Sequence, residues 1–137
     1  NVANIYHTAG DYEPALTYYR QSLRYYEAEA DTAMITSSLN NIGLVYFEQE
    51  QYDRSLGTFV TALAMETRTD NKPGMAMTLN NIGQVYEARG ALDEALTRYE
   101  RSLALRRDLD DRQGISVCLH NIGTVHVKQG RFDLGID

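Results

Sequence analysis

Leu79-Asn80-Asn81-Ile82-Gly83-Gln84-Val85-Tyr86 decides how this 137-residue chain is read. The octet has two further copies. One is Leu39-Asn40-Asn41-Ile42-Gly43-Leu44-Val45-Tyr46, and the other is Leu119-His120-Asn121-Ile122-Gly123-Thr124-Val125-His126. Consecutive copies start 40 residues apart. A shortened copy opens the chain as Asn1-Val2-Ala3-Asn4-Ile5-Tyr6. The flanking sequence repeats in the same register. Tyr12-Glu13-Pro14-Ala15-Leu16 aligns with Tyr52-Asp53-Arg54-Ser55-Leu56, Leu92-Asp93-Glu94-Ala95-Leu96 and Phe132-Asp133-Leu134-Gly135-Ile136. A fixed period of this length marks an architecture of stacked repeats.

Each repeat reads as two helices. Met75, Leu79, Ile82, Val85 and Tyr86 recur at steps of three and four, which places them on one helical face. Gly90-Ala91 interrupts the pattern. The helical period then resumes through Leu92, Ala95, Leu96, Tyr99 and Leu103. Equivalent breaks are Gly10-Asp11 and Gly130-Arg131, where glycine accepts the positive φ of a helix-ending turn. Glu50-Gln51 takes that place in the second copy and predicts a slightly strained turn. Glu13, Asp53, Asp93 and Asp133 fall in the first turn of each second helix, where the helix dipole favours a negative charge. Pro14 lies in such a turn, where its missing N–H does no harm. Asp31, Asp70-Asn71-Lys72-Pro73-Gly74 and Asp110-Asp111-Arg112-Gln113-Gly114 supply turn and cap chemistry between the pairs.

A two-helix unit cannot bury its apolar face alone, so stacked neighbours must bury it. The expected fold class is all-α, a right-handed superhelical solenoid of antiparallel helix pairs. Small residues mark where helices approach closely: Ala3, Gly43, Gly83 and Gly123 in the first helices, and Ala15, Ala95, Ser22, Ala62 and Ser102 in the second. The expected organisation is one array of about three and a half repeats, cut from a longer protein. Its parts are 1–30 (partial), 31–70, 71–110 and 111–137 (partial).

Leu79-x2-Ile82-Gly83-x2-Tyr86, followed by Ala95, Tyr99 and Ser102, resembles the tetratricopeptide repeat. The second copy matches through Leu39, Ile42, Gly43, Tyr46, Phe59 and Ala62, with Ser55 where alanine is usual. The 40-residue period and the Asn-Asn pairs are similar to repeats of kinesin light chains, of the Leu-Gly-Asn-repeat scaffold of spindle orientation and of bacterial regulators. Thr67 and Arg107 stand where the family often has proline, which fits helices that run on.

The resemblance implies a concave groove lined by the first helices, which binds a protein or peptide. Carried onto this sequence, its strongest positions are the Asn ladder Asn1, Asn41, Asn81 and Asn121. A side-chain amide both donates and accepts, so it can pair with an extended backbone. The same amides can instead bridge neighbouring repeats, and the sequence leaves both roles open. Beside the ladder lie Asn40, Asn80 and His120, then Asn4, Leu44, Gln84 and Thr124. One turn on come Phe47, Glu48, Glu87 and Lys128, with His7, Thr8, Ala88 and Val127. Glu48 and Glu87 make the middle of this expected groove acidic, while His120 and Lys128 make its end basic.

The expected function is a binding scaffold. A receptor for a short signalling peptide within a larger regulator and a self-assembling array joined through uncapped ends are the alternatives. The net charge of −6 argues against nucleic acid as a partner. No apolar run approaches the roughly 20 residues of a membrane helix, and the expected location is cytoplasmic. No catalytic constellation, cofactor motif or metal motif is present, so an enzyme is not expected. The stretch Asp108 to Gly114 fails as a calcium loop: its glycine is one place late, and Leu119 stands where a glutamate is needed.

Five of the ten tyrosines lie between residues 12 and 26. Repeat alignment puts Tyr12, Tyr19 and Tyr25 in the core. It puts Tyr18 and Tyr26 at exposed positions shared with Thr58, Arg98, Glu66 and Arg106. The arginines of the third repeat's second helix read as a solvated, salt-bridged face, and Cys118 reads as a structural thiol.

Overall fold

Three-residue breaks recur every 20 residues and set the architecture. In each, the first residue ends a helix and the second turns back into the left-handed region. Gly10 and Gly90 do so at φ 82° and 80°, but Ala30, Glu50, Asp70 and Asp110 do so as well, at 54°, 61°, 52° and 53°. The closing hydrogen bonds repeat too. Gly10 N donates to His7 O and Asp11 N to Tyr6 O, while Glu50 N donates to Phe47 O and Gln51 N to Tyr46 O. These pairs satisfy carbonyls that a helix end leaves open. The strain expected at Glu50 is present, and three further side-chain-bearing residues share its conformation.

A computed structural model describes residues 2–130. Among these residues there are seven helices: α1 (Val2–Thr8), α2 (Tyr12–Ala28), α3 (Thr32–Glu48), α4 (Tyr52–Arg68), α5 (Lys72–Ala88), α6 (Leu92–Asp108) and α7 (Arg112–Lys128). All but α1 have 17 residues. Asp31, Asn71 and Asp111 cap α3, α5 and α7 by accepting from the backbone N–H groups of Met34, Gly74 and Gly114. The second helices α2, α4 and α6 have no side-chain cap but carry Glu13, Asp53, Asp93 and Glu94 in their first turns. Pro73 opens α5, where a missing N–H is tolerated. Asn1 and the segment Arg131-Phe132-Asp133-Leu134-Gly135-Ile136-Asp137, which carries the expected fourth-copy match, lie outside the described residues.

The chain divides into two compact units, Asn1–Asp70 and Asn71–Asp137. In the first, Ala3, Ala15, Leu16, Tyr19, Ile42 and Val45 form a buried cluster, joined by Tyr6, Tyr12, Leu23 and Tyr46. In the second, Ala95, Tyr99 and Val125 are buried, with Tyr86, Leu92, Leu96 and Ile122 against them. The repeated glycines have a packing cause. A Cβ on Gly43 would lie 2.5 Å from the Phe59 ring, and one on Gly83 would lie 2.6 Å from the Tyr99 ring. Buried hydroxyls are satisfied by backbone. Ser55 donates to Gly43 O at 2.8 Å and Ser102 to Ala76 O at 2.7 Å. The buried thiol of Cys118 donates to Ser102 Oγ at 3.4 Å.

Three burial expectations are corrected. Tyr25, aligned with core residues, is 62% exposed and meets Tyr26 edge-on at 5.4 Å. Its repeat partners Met65 and Leu105 are half-buried. Tyr26 is half-buried, not exposed. Glu66, aligned with exposed residues, is 2% exposed, and its side chain is engaged in an interaction. A carboxylate is withdrawn from water to that degree only when something compensates it. Tyr18 is exposed as expected and stacks flat on Tyr6 at 5.7 Å.

Candidate functional site

Neighbouring first helices within a unit are bonded at one fixed offset. His7 meets Glu48, Asn80 meets Asn121, and Glu87 meets Lys128. Each pair is 41 residues apart, one repeat plus one position. The 40-residue period groups these residues on one face without joining them, because bonded partners stand 41 apart. Complementary side chains at an offset of 41, a basic group against a carboxylate or an amide against an amide, are the signal that would have found them.

In the first unit the His7 imidazole lies at the centre. Its Nε2 donates to Glu48 Oε2 at 2.6 Å. The rings of Tyr12 and Tyr19 meet it edge-on at 6.5 and 6.1 Å. The Tyr19 hydroxyl donates to Asn4 Oδ1. Burial raises the Tyr19 pKa, and the charge of Glu48 raises it further. Phe47 is half-buried and tilts against Tyr52 at 5.8 Å. Asn41 and Leu44 are half-buried, and Asn4 and Glu48 are exposed. Asn40 is 4% exposed, and its amide donates to Thr36 O one turn back, at 3.0 Å.

In the second unit the polar residues are linked more fully. Asn121 Nδ2 donates to Asn80 Oδ1 at 2.8 Å, so one rung of the ladder is spent on joining α7 to α5. Lys128 Nζ donates to Glu87 Oε2 at 2.5 Å, and the Tyr99 hydroxyl donates to Glu87 Oε1 at 2.8 Å. Both carboxylate oxygens are therefore occupied. Burial pushes the Tyr99 hydroxyl far above the usual phenol range, and its bond to Glu87 and that residue's charge push it further. Asn81 is buried and engaged. Gln84 and Thr124 are half-buried and His120 is exposed. Thr124 donates back to His120 O.

The expected charge pattern is thus altered at close range. The sequence makes Glu48 and Glu87 a mildly acidic middle, and His120 and Lys128 a mildly basic end. Glu48 is hydrogen-bonded to His7, and Glu87 and Lys128 are ion-paired with each other. Of the apolar residues expected on this face, Leu44 and Phe47 are half-buried and Val127 is 43% exposed. The arginine-bearing face of α6 is partly packed. Arg98 lies over the Tyr86 ring at 5.0 Å, and Arg106 Nη1 donates to Asp111 Oδ2 at 2.6 Å. Among the described residues no group of three or more His, Cys, Asp or Glu is placed to hold a metal ion. Among them, no helix is long and apolar enough to cross a membrane.

The family model described as "Tetratricopeptide repeat" matches residues 34–108, and a second model of that description matches residues 1–30. Searched against curated protein sequences, the chain has no match. Several solved structures share its fold. BtubC from P. vanneervenii superposes with a TM-score of 0.84 at 24% identity, over 96% of this chain and 55% of that one. The Rap conjugation gene regulator of the plasmid pLS20, solved in complex with the Phr* peptide, gives 0.83 at 20% identity, over 97% and 37%. Kinesin light chain-like repeats of Podosopora anserina give 0.81 at 15% identity, over 98% and 67%. The chain spans about half the length of the first of these. All three likenesses support an all-α helical repeat solenoid.

Proposed function

Because the chain belongs to the tetratricopeptide repeat family, we propose that it is a scaffold module that binds another protein or a peptide through the exposed side of its first helices. The observation that carries this reading is the likeness to a repeat protein solved with a peptide in place. The residues of the face suit that role. Asn41, Gln84 and Thr124 are half-buried on the first helices α3, α5 and α7. Leu44 and Phe47 add partly exposed apolar surface to α3, the helix of Asn41. An amide pairing with peptide backbone contributes roughly 1 kcal/mol per bond, so affinity would grow with the number of repeats engaged.

The ladder divides by role. Asn121 spends one N–H on Asn80, and Asn40 bonds within its own helix. Asn41 is the rung left most open to a ligand. A displayed library of extended peptides, selected against the chain, provides the test. Affinity of the selected peptide is measured for the parent, for Asn41→Ala and for Gln84→Ala, with helicity and melting recorded alongside. The reading expects weaker binding with melting unchanged. Equal affinity in all three proteins sinks it, and loss of melting temperature at Asn41 assigns that residue to the scaffold.

A further inference from the structure

Glu48 is left half-used. Its Oε2 accepts from His7, but among the described residues Oε1 has no partner. The side chain is 42% exposed and borders a pocket of about 320 Å³ lined by His7, Thr8, Gly10, Tyr12 and Glu48. A carboxylate offers about four acceptor positions, so one bond to an imidazole leaves most of its capacity open. Among the described residues no lysine or arginine lines the pocket. Gly10 borders it, with open space where a Cβ would stand. Two tyrosine rings pack edge-on against His7 and fix the imidazole that holds Glu48 in place.

The second unit shows what these repeat positions accept. There Lys128 stands at the place of Glu48 and Glu87 at the place of His7. The lysine ammonium sits 2.5 Å from one carboxylate oxygen while the Tyr99 hydroxyl takes the other. The second unit thus completes its carboxylate with a cation from its own chain. The first unit presents a carboxylate with one oxygen free, an aromatic wall at Tyr12 and an empty volume beside both.

We propose that the pocket between His7, Tyr12 and Glu48 is a subsite for a lysine-type ammonium carried by a bound polypeptide, which rests on the reading that the first-helix face holds a peptide. The ammonium donates to Glu48 Oε1, and the methylene stem lies along Tyr12. Aromatic rings favour a cation over their faces and tolerate its alkyl stem. The His7 bond stays in place, so binding needs no rearrangement of the core.

The test uses the whole 137-residue chain and two probes, N-acetyl-lysine amide and its uncharged counterpart N-acetyl-norleucine amide. Amide and ring resonances of His7, Tyr12 and Glu48 are followed during titration. A saturable shift by the lysine probe alone, weakened by added salt, supports the subsite. Glu48→Gln keeps an acceptor for His7 but removes the charge, and should weaken lysine binding by about tenfold or more. Tyr12→Leu should weaken it less. Equal shifts from both probes, no saturable shift at all, or a Glu48→Gln variant that binds like the parent overturns the proposal. The two readings fail separately. If Asn41→Ala abolishes peptide binding while the lysine probe leaves His7, Tyr12 and Glu48 unmoved, only the subsite falls. If the probe binds but no peptide depends on Asn41 or Gln84, the peptide-face reading falls.

Discussion

Gly83 lies beneath the ring of Tyr99, so closely that a Cβ added to it would stand 2.6 Å from Cε1. The ring is fully buried and tied by its hydroxyl to Glu87, so it cannot swing aside. Gly83→Ala should therefore destabilise the fold by about 1–3 kcal/mol through overpacking, although alanine is the better helix former. Chemical denaturation of the parent, Gly83→Ala and Gly83→Ala/Tyr99→Leu measures this. The smaller side chain should restore part of the loss, and a Gly83→Ala variant as stable as the parent contradicts the packing account.

Asn80 and Asn121 form a polar pair that is mostly withdrawn from water, with Asn80 9% exposed. Asn121→Ala leaves the Asn80 carbonyl without its donor, at a cost of about 1–3 kcal/mol. Replacing both by leucine should cost less than the two single alanine changes added together. A double-mutant cycle reads the coupling directly, and zero coupling rules out a bridging role for this rung.

Glu50 holds φ 61° without the freedom of glycine. The left-handed region costs a side-chain-bearing residue about 1–2 kcal/mol. Glycine gives back part of that gain through its larger unfolded-state entropy. Glu50→Gly is expected to stabilise the chain by about 0.5–1 kcal/mol, measured by denaturant midpoint. The aligned Gly90→Ala change should act in the opposite direction.

Alkaline pH should act through Tyr99. Its folded hydroxyl titrates well above the usual phenol range because burial and the Glu87 carboxylate disfavour the phenolate. The unfolded chain ionises near the ordinary value of about 10. The stabilisation is therefore fully present below pH of about 10 and is lost as pH rises beyond it. Tyr99→Phe should lose about 1.5–3 kcal/mol at neutral pH with the bond to Glu87, yet show a flatter fall in stability above pH of about 10. Parallel fall-off in the two proteins would contradict this assignment.

Helix type, helix pairing and turn positions were legible because one pattern recurs in register. Asp31, Asn71 and Asp111 read as caps and are caps. What alignment hid is whatever differs between copies. Tyr25 and Met65 share a repeat position, but the residues beside them are not the same, so one is exposed and the other half-buried. Glu66 is buried although its aligned neighbours suggested a wet face. The candidate face was legible as a set of residues. Its bonding was not, because the partners sit one position out of register, and because a helical period says which residues share a face but not which atoms meet.

The His7–Glu48 and Glu87–Lys128 pairs run in opposite senses. From the earlier first helix to the later, the first unit presents imidazole to carboxylate and the second presents carboxylate to ammonium. An unequal crossover that set α3 in the place of α7 would bring Glu48 against Glu87, and the reverse exchange would bring Lys128 against His7. Repeats so alike in backbone invite such genetic shuffling, yet these four side chains make the copies poor substitutes for one another. The reversed polarity thus acts as a lock on the order of the repeats.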